Sequence, residues 1–239
     1  MKWSRDLTAL AMLIIALAFA GQGTVLASSQ PGSSAVPSCY LTLSSERIPL
    51  DRGAIFRRDF TVDLTTCTFI AGPLWRLTTE EIAKLHDQTY ALGSTRSMTQ
   101  DTGSPVLPAD PIVYERESTW DCCGLELTYV DHQQTYSYDG SNSSVSQIVT
   151  QTYARTDGWS VTSQSQWFNT GNPASSVSTE GGASFNNPYG PGQPCDHTLY
   201  AEVRSYADGS WTHSSAFIGD PGQTICSGLV HVSEIWGTR

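Results

Sequence analysis

Leu199–Ile218 reads LYAEVRSYADGSWTHSSAFI, two alternating runs on either side of Asp208-Gly209. An Asp-Gly pair suits a type I′ turn, in which both central residues take positive φ. A two-residue turn at this point predicts a hairpin that pairs Tyr206 with Trp211, Arg204 with His213, Glu202 with Ser215 and Tyr200 with Phe217. Side chains alternate along a strand, so this register sorts the hairpin into two faces. One face carries Leu199, Ala201, Val203 and Ser205 against Thr212, Ser214, Ala216 and Ile218, and suits a core. The other carries Tyr200, Glu202, Arg204, Tyr206, Trp211, His213 and Phe217. It is the candidate ligand-binding surface, because rigid aromatic rings can stack on sugars or anchor a protein contact while their polar neighbours bind hydroxyls.

The same grammar recurs upstream. Val145–Phe168 predicts a second hairpin closed at Asp157-Gly158, with Thr156 by Trp159, Ala154 by Val161, Thr152 by Ser163, Thr150 by Ser165 and Ile148 by Trp167. A third Asp-Gly pair follows Tyr138. Phe60–Leu64 alternates as a half-buried strand, Leu125–Val130, Thr135–Tyr138 and Leu229–Trp236 read as further strands, and Cys39–Leu43 reads as an edge strand. Ser94–Pro111 and Gly171–Pro194 are dense in Gly, Pro and small polar residues and read as loops. One helix stands out. Thr78 and Glu81 form a capping box, Ile82, Leu85, Thr89 and Leu92 follow at helical spacing, and Gly93 ends the run. The expected fold is mainly β, an antiparallel β-sandwich or barrel built from hairpins, with one short helix in the N-terminal part. Residues 39–111 would form an N-terminal subdomain with that helix, and 112–239 an antiparallel β-domain.

The N-terminus sets the expected compartment. Lys2 and Arg5 precede the apolar run Leu7–Ala20, and Ala18-Phe19-Ala20 and Val25-Leu26-Ala27 are small-residue cleavage patterns. This is a secretory signal peptide over 1–27, cleaved after Ala20 or Ala27, followed by a Ser/Pro linker at 28–38. The apolar run is shorter than the roughly 20 residues that span a bilayer, so no membrane span is expected after cleavage. The formal net charge is −10, and losing Lys2, Arg5 and Asp6 makes it −11. No Lys/Arg cluster exists beyond Arg57-Arg58, which argues against a nucleic-acid partner.

Six cysteines in an exported chain imply disulfides. Cys195 and Cys226 flank the Leu199–Ile218 hairpin and are expected to pair. Vicinal Cys122 and Cys123 hardly bridge each other without strain, so they are expected to reach Cys39 and Cys67, in either order. Zinc-type cysteine spacing is absent, and neither a metal nor another cofactor is expected.

Chemical motifs are few. The chain has no Gly-x-Ser-x-Gly elbow, no His-Glu-x-x-His and no phosphate loop. Asp101-Thr102-Gly103 resembles the triplet of aspartic proteases, but it lacks the second copy that a carboxylate dyad needs and reads as a turn. His86, His132, His197, His213 and His231 are scattered, with His86 beside the apolar stripe of the helix. The expectation is a secreted, disulfide-stabilised β-protein that binds a polysaccharide or cell-surface ligand without catalysis. The alternatives are a hydrolase with a spatially assembled Ser/His/Asp site, or a pore-forming or protein-interaction module. The pore-forming reading would use Val145–Phe168 as its stem.

Overall fold

The computed structural model describes residues 25–29, 39–64, 66–90, 93–103, 110–121, 124–188, 196–219 and 229–239. Thirteen strands and one helix follow in chain order: β1 (Val25–Ser29), β2 (Cys39–Ser44), β3 (Ile55–Asp63), β4 (Thr68–Arg76), α1 (Thr79–Tyr90), β5 (Gly93–Asp101), β6 (Ile112–Trp120), β7 (Glu126–Tyr138), β8 (Ser143–Arg155), β9 (Ser160–Phe168), β10 (Ser176–Asn186), β11 (His197–Tyr206), β12 (Trp211–Gly219) and β13 (Leu229–Thr238). They form a six-stranded sheet, β1-β2-β12-β11-β10-β9, and a seven-stranded sheet, β4-β3-β13-β6-β7-β8-β5. Both are antiparallel and pack face to face as a sandwich with no closed barrel. Segment 39–111 adds β2 to the first sheet and β3, β4 and β5 to the second, so it shares both sheets with 112–239.

The helix begins as its sequence requires. The Thr78 amide donates to Glu81 Oε2 at 2.7 Å, and the Glu81 amide donates back to Thr78 Oγ1 at 3.3 Å. Leu77 and Ile82 pack with Ile55, Tyr114 and Ile235 on the seven-stranded sheet.

The β11–β12 turn differs from the expected one by a single residue, and the consequence is large. The Tyr206 amide donates to the Ser210 carbonyl and the Gly209 amide to the Tyr206 carbonyl, with Gly209 at φ +83°. This is a three-residue loop, a tight turn followed by a left-handed glycine, and not the two-residue type I′ turn. The ladder therefore pairs Ser205 with Trp211, Val203 with His213, Ala201 with Ser215 and Leu199 with Phe217. A one-residue slip moves a whole strand to the opposite face. Trp211, His213 and Phe217 are buried among the core residues, while Tyr200, Glu202, Arg204 and Tyr206 stay on the outer face.

The Asp157-Gly158 hairpin does not form. β8 already has β7 and β5 as neighbours, so β9 crosses to the other sheet and pairs with β10. β8 and β9 are thus not paired with each other. Asp139-Gly140 does close a hairpin, between β7 and β8, with Asp139 Oδ1 accepting from the amides of Ser141 and Asn142. Leu125–Val130 and Thr135–Tyr138 merge into the single long strand β7.

Two expected loops also contain strands. β5 (Gly93–Asp101) takes up the first part of 94–111 and pairs with β8. β10 carries Gly181-Gly182 in its interior, where a Cβ on Gly181 would lie 2.5 Å from Thr150 Oγ1 and one on Gly182 2.4 Å from the Tyr200 ring. The glycines mark close approach of other groups to the backbone, not a loop. β1 covers the last residues of the expected leader and the first of the expected linker, pairing with β2, so Cys39–Leu43 does not form a sheet edge.

The disulfide joins Cys39 to Cys67, with Cα atoms 5.3 Å apart, and so ties β2 of one sheet to the β3–β4 turn of the other. This replaces the expected bridges from Cys39 and Cys67 to the vicinal pair. Cys122, Cys123, Cys195 and Cys226 lie outside the described residues, as does the side chain of His86.

Candidate functional site

The core is apolar at both ends and polar across its middle. One apolar cluster holds Leu41, Val130, Ala154, Ala183, Leu199, Phe217 and Val232. The other holds Val113, Tyr136, Ile148, Val177, Val203, Trp211 and Trp236. Between them, at the alternating positions of the same strands, lie His132 and Gln134 on β7, Thr150 and Thr152 on β8, Thr179 and Gly181 on β10, His213 and Ser215 on β12, Glu115 and Glu117 on β6, and Glu234 on β13. Six strands thus place polar groups at one level of the sandwich. In part of this belt hydrogen bonds join the polar groups. His132 Nδ1 meets Thr150 Oγ1 at 2.8 Å and its Nε2 meets Thr179 Oγ1 at 2.9 Å, which links the sheets. Gln134 Nε2 donates to Ser205 Oγ and to the Val177 carbonyl.

The other part is acidic. Glu115 Oε2 lies 3.0 Å from His213 Nδ1, and Glu234 Oε1 lies 3.2 Å from the same nitrogen. Ser215 Oγ donates to Glu234 Oε1 at 3.4 Å. Glu117 stands directly opposite Glu234 in the β6–β13 ladder, and neither of its carboxylate oxygens has a hydrogen-bond partner. The His213 ring stacks on Trp236 with centroids 4.4 Å apart, and the Trp211 ring lies tilted against it at 5.8 Å. Burial lifts the Glu115 and Glu117 carboxyls well above the usual range, and the neighbouring acids lift Glu117 further. Burial opposes charge on His213, but Glu115 and Glu234 outweigh it and push its pKa up to about 10. Glu115 and Glu234 thus share one imidazole with Glu117 beside them, and the remaining charge of the three carboxyl groups must be met by protons or by a cation.

Two members of this cluster, His213 and Glu234, line a cavity of about 350 Å³. Leu43, Ile48, Phe56, Phe60, Leu74 and Trp236 supply apolar walls; Arg58, His213 and Glu234 supply polar groups. Arg58 Nε is buried without a hydrogen-bond partner. Such a concave, mostly apolar space with a few convergent polar groups is the usual form of a small-molecule site.

The expected surface is divided between this interior and the opposite side of its sheet. His213 and Trp211 are in the belt and its apolar neighbour, and Phe217 is in the other apolar cluster. On the outer face, Glu202 accepts from Ser178, Ser214 and Arg204, Tyr200 meets Trp167 edge-on at 6.3 Å, and Tyr206 lies under Arg47. Among the described residues no histidine is placed in a Ser–His–Asp arrangement: His132 and His197 bond to threonines, His213 approaches glutamates and His231 lies beside Thr61. Asp101-Thr102-Gly103 ends β5, with Thr102 Oγ1 donating to the Val145 carbonyl. Glu115, Glu117 and Glu234 escaped the sequence reading. Their signal is positional: Val113, Glu115, Glu117 and Val232, Glu234, Trp236 continue an inward, apolar row with acids. Comparison with family models, curated proteins and solved structures gave no match to this chain.

Proposed function

We propose that this chain is a secreted, disulfide-stabilised protein that binds, without catalysis, a small amphipathic extracellular ligand in the cavity between its sheets. The observation that carries the reading is the cavity itself, with its apolar walls and, on the lining residue Arg58, a buried Nε without a partner that can serve as donor to an accepting head group. The signal-peptide reading and the Cys39–Cys67 bridge support export. The test is titration with anilinonaphthalene sulfonate, an amphipathic anion, read by its fluorescence and by tryptophan quenching. Wild type binds the probe; Leu74→Trp, which fills the cavity, abolishes binding, and Arg58→Gln weakens it about tenfold, the loss of a single charge-assisted bond. Equal binding by all three folded proteins would overturn the reading.

A second reading keeps a polysaccharide ligand but moves it to the outer face of the six-stranded sheet. Tyr200, Glu202, Arg204 and Tyr206 alternate there, and Trp167 lies edge-on to Tyr200. Pull-down on insoluble polysaccharides that is lost in Tyr200→Ala, and retained in Leu74→Trp, would favour it over the cavity.

A further inference from the structure

One donor atom each from Glu115, His213 and Glu234 lies within 4.8 Å of the other two, and all three residues are buried. We propose that these three side chains bind a single divalent transition-metal ion, zinc by its donor preferences, with Glu117 as a neighbouring carboxylate. The inference stands whether or not the cavity takes an organic ligand.

Three observations carry it. First, the close atoms are not satisfied by hydrogen bonds. Both Glu115 oxygens, both Glu117 oxygens and both His213 nitrogens are buried without a partner of hydrogen-bond geometry, although Glu115 and Glu234 approach Nδ1 at 3.0 and 3.2 Å. A single ring nitrogen carries at most one proton, so it cannot make well-aligned bonds to two carboxylates at once. Second, the spacing suits an ion. Zinc bonds of about 2.1 Å place tetrahedral donors about 3.4 Å apart, close to the 3.0 and 3.2 Å between His213 Nδ1 and the two carboxylates. Third, the donor set is selective. Calcium takes six to eight oxygens, whereas an imidazole with two carboxylates suits zinc and its transition-metal neighbours. His213 and Glu234 also line the cavity, so a fourth coordination position would open into it.

The test uses the full exported chain, stripped with a chelator and dialysed against zinc or cobalt(II). Elemental analysis is expected to find one zinc ion per chain in wild type and none in Glu115→Gln, circular dichroism showing both to be folded. Zinc is expected to raise the melting temperature of wild type only. Cobalt(II) is expected to give the intense visible absorption of a four-coordinate ion with nitrogen and oxygen ligands, and zinc to displace it. Folded wild type that takes up no metal, or equal uptake by folded Glu115→Gln, would overturn the proposal. Should Glu115→Gln not fold, the cobalt spectrum of wild type decides: strong four-coordinate bands support the site, and the pale spectrum of six-coordinate cobalt rejects it.

Discussion

Glu115 and His213 meet across the interior of the sandwich, Oε2 to Nδ1 at 3.0 Å, one from each sheet. The contact exists because β12 presents His213 inward, and β12 does so because the loop before it has three residues and not two. Turn chemistry, register and the chemistry of the interior are therefore one problem.

The acidic side of the belt predicts a stabilising substitution. Glu117 is fully buried, faces Glu234 and has no hydrogen-bond partner. In metal-free protein at neutral pH, Glu117→Gln removes a buried acid and offers Glu234 a donor, for a gain of roughly 1–2 kcal/mol. Urea unfolding measures it; a loss of stability would mean that the Glu117 carboxyl has a stabilising role.

The neutral histidines predict a pH dependence. His197 Nε2 meets Thr128 Oγ1 at 2.8 Å, and its ring stacks on Phe185 and Phe217. Burial pushes its pKa down to about 3, and that of His132 down to about 4. An unfolded imidazole takes its proton near pH 6.5. Between that pH and the depressed native values the unfolded chain binds more protons, so this stability is whole above about pH 6.5 and falls as pH drops. The slope is about 1.4 kcal/mol per pH unit for each histidine. Glu115 and Glu117 act in the opposite sense, because a raised carboxyl pKa costs stability as pH rises. The His197 contribution is therefore read as a difference. Between about pH 7 and pH 5, His197→Gln should lose roughly 2 kcal/mol less than wild type. Parallel profiles would contradict a neutral, buried His197.

The seven-stranded sheet holds a second buried ionic group, apart from the belt. Arg116 donates from Nε and Nη2 to Asp131 Oδ2 at 3.3 and 3.2 Å, and its guanidinium lies 4.1 Å from the centre of the Tyr129 ring. Asp131→Ala leaves a buried cation without its main partner and should cost about 3–5 kcal/mol. A loss below about 1 kcal/mol, the size of an exposed pair, would show that water reaches Arg116.

Gly181 has no room for a side chain. A Cβ there would lie 2.5 Å from Thr150 Oγ1 and 2.8 Å from His132 Nδ1. Gly181→Ala should cost about 1–3 kcal/mol by forcing the sheets apart at the belt. Gly140→Ala separates this packing effect from backbone strain, since Gly140 has φ +86° and open space around it. Its loss should come from the backbone alone.

How much of this was legible follows from what each signal encodes. The capping box of α1 and the Asp139 turn are local, and both form as read. Asp208-Gly209 was legible as a turn but not as a length, because Asp-Gly serves two-residue loops and also the three-residue loop with a left-handed glycine. The row Ile148, Thr150, Thr152, Ala154 was read correctly as one face of β8, but its partner was not. That partner depended on β5, whose Ser- and Thr-rich sequence lacks a buried face to declare it. Gly181 and Gly182 looked like loop residues because the side chains that crowd them come from β7, β8 and β11, far away in sequence. Glu115, Glu117 and Glu234 sit on alternating rows and resemble solvent-facing acids until both sheets are in place.

The central claim is that His213 faces the interior. Nuclear Overhauser contacts of the His213 ring test it most directly, using protein labelled at histidine and tryptophan. The structure predicts strong cross-peaks from the ring to the Trp236 indole, 4.4 Å away between centroids, and none to Arg204. Cross-peaks to Arg204 with none to Trp236 would restore the two-residue turn, place His213 on the outer surface and remove the buried site.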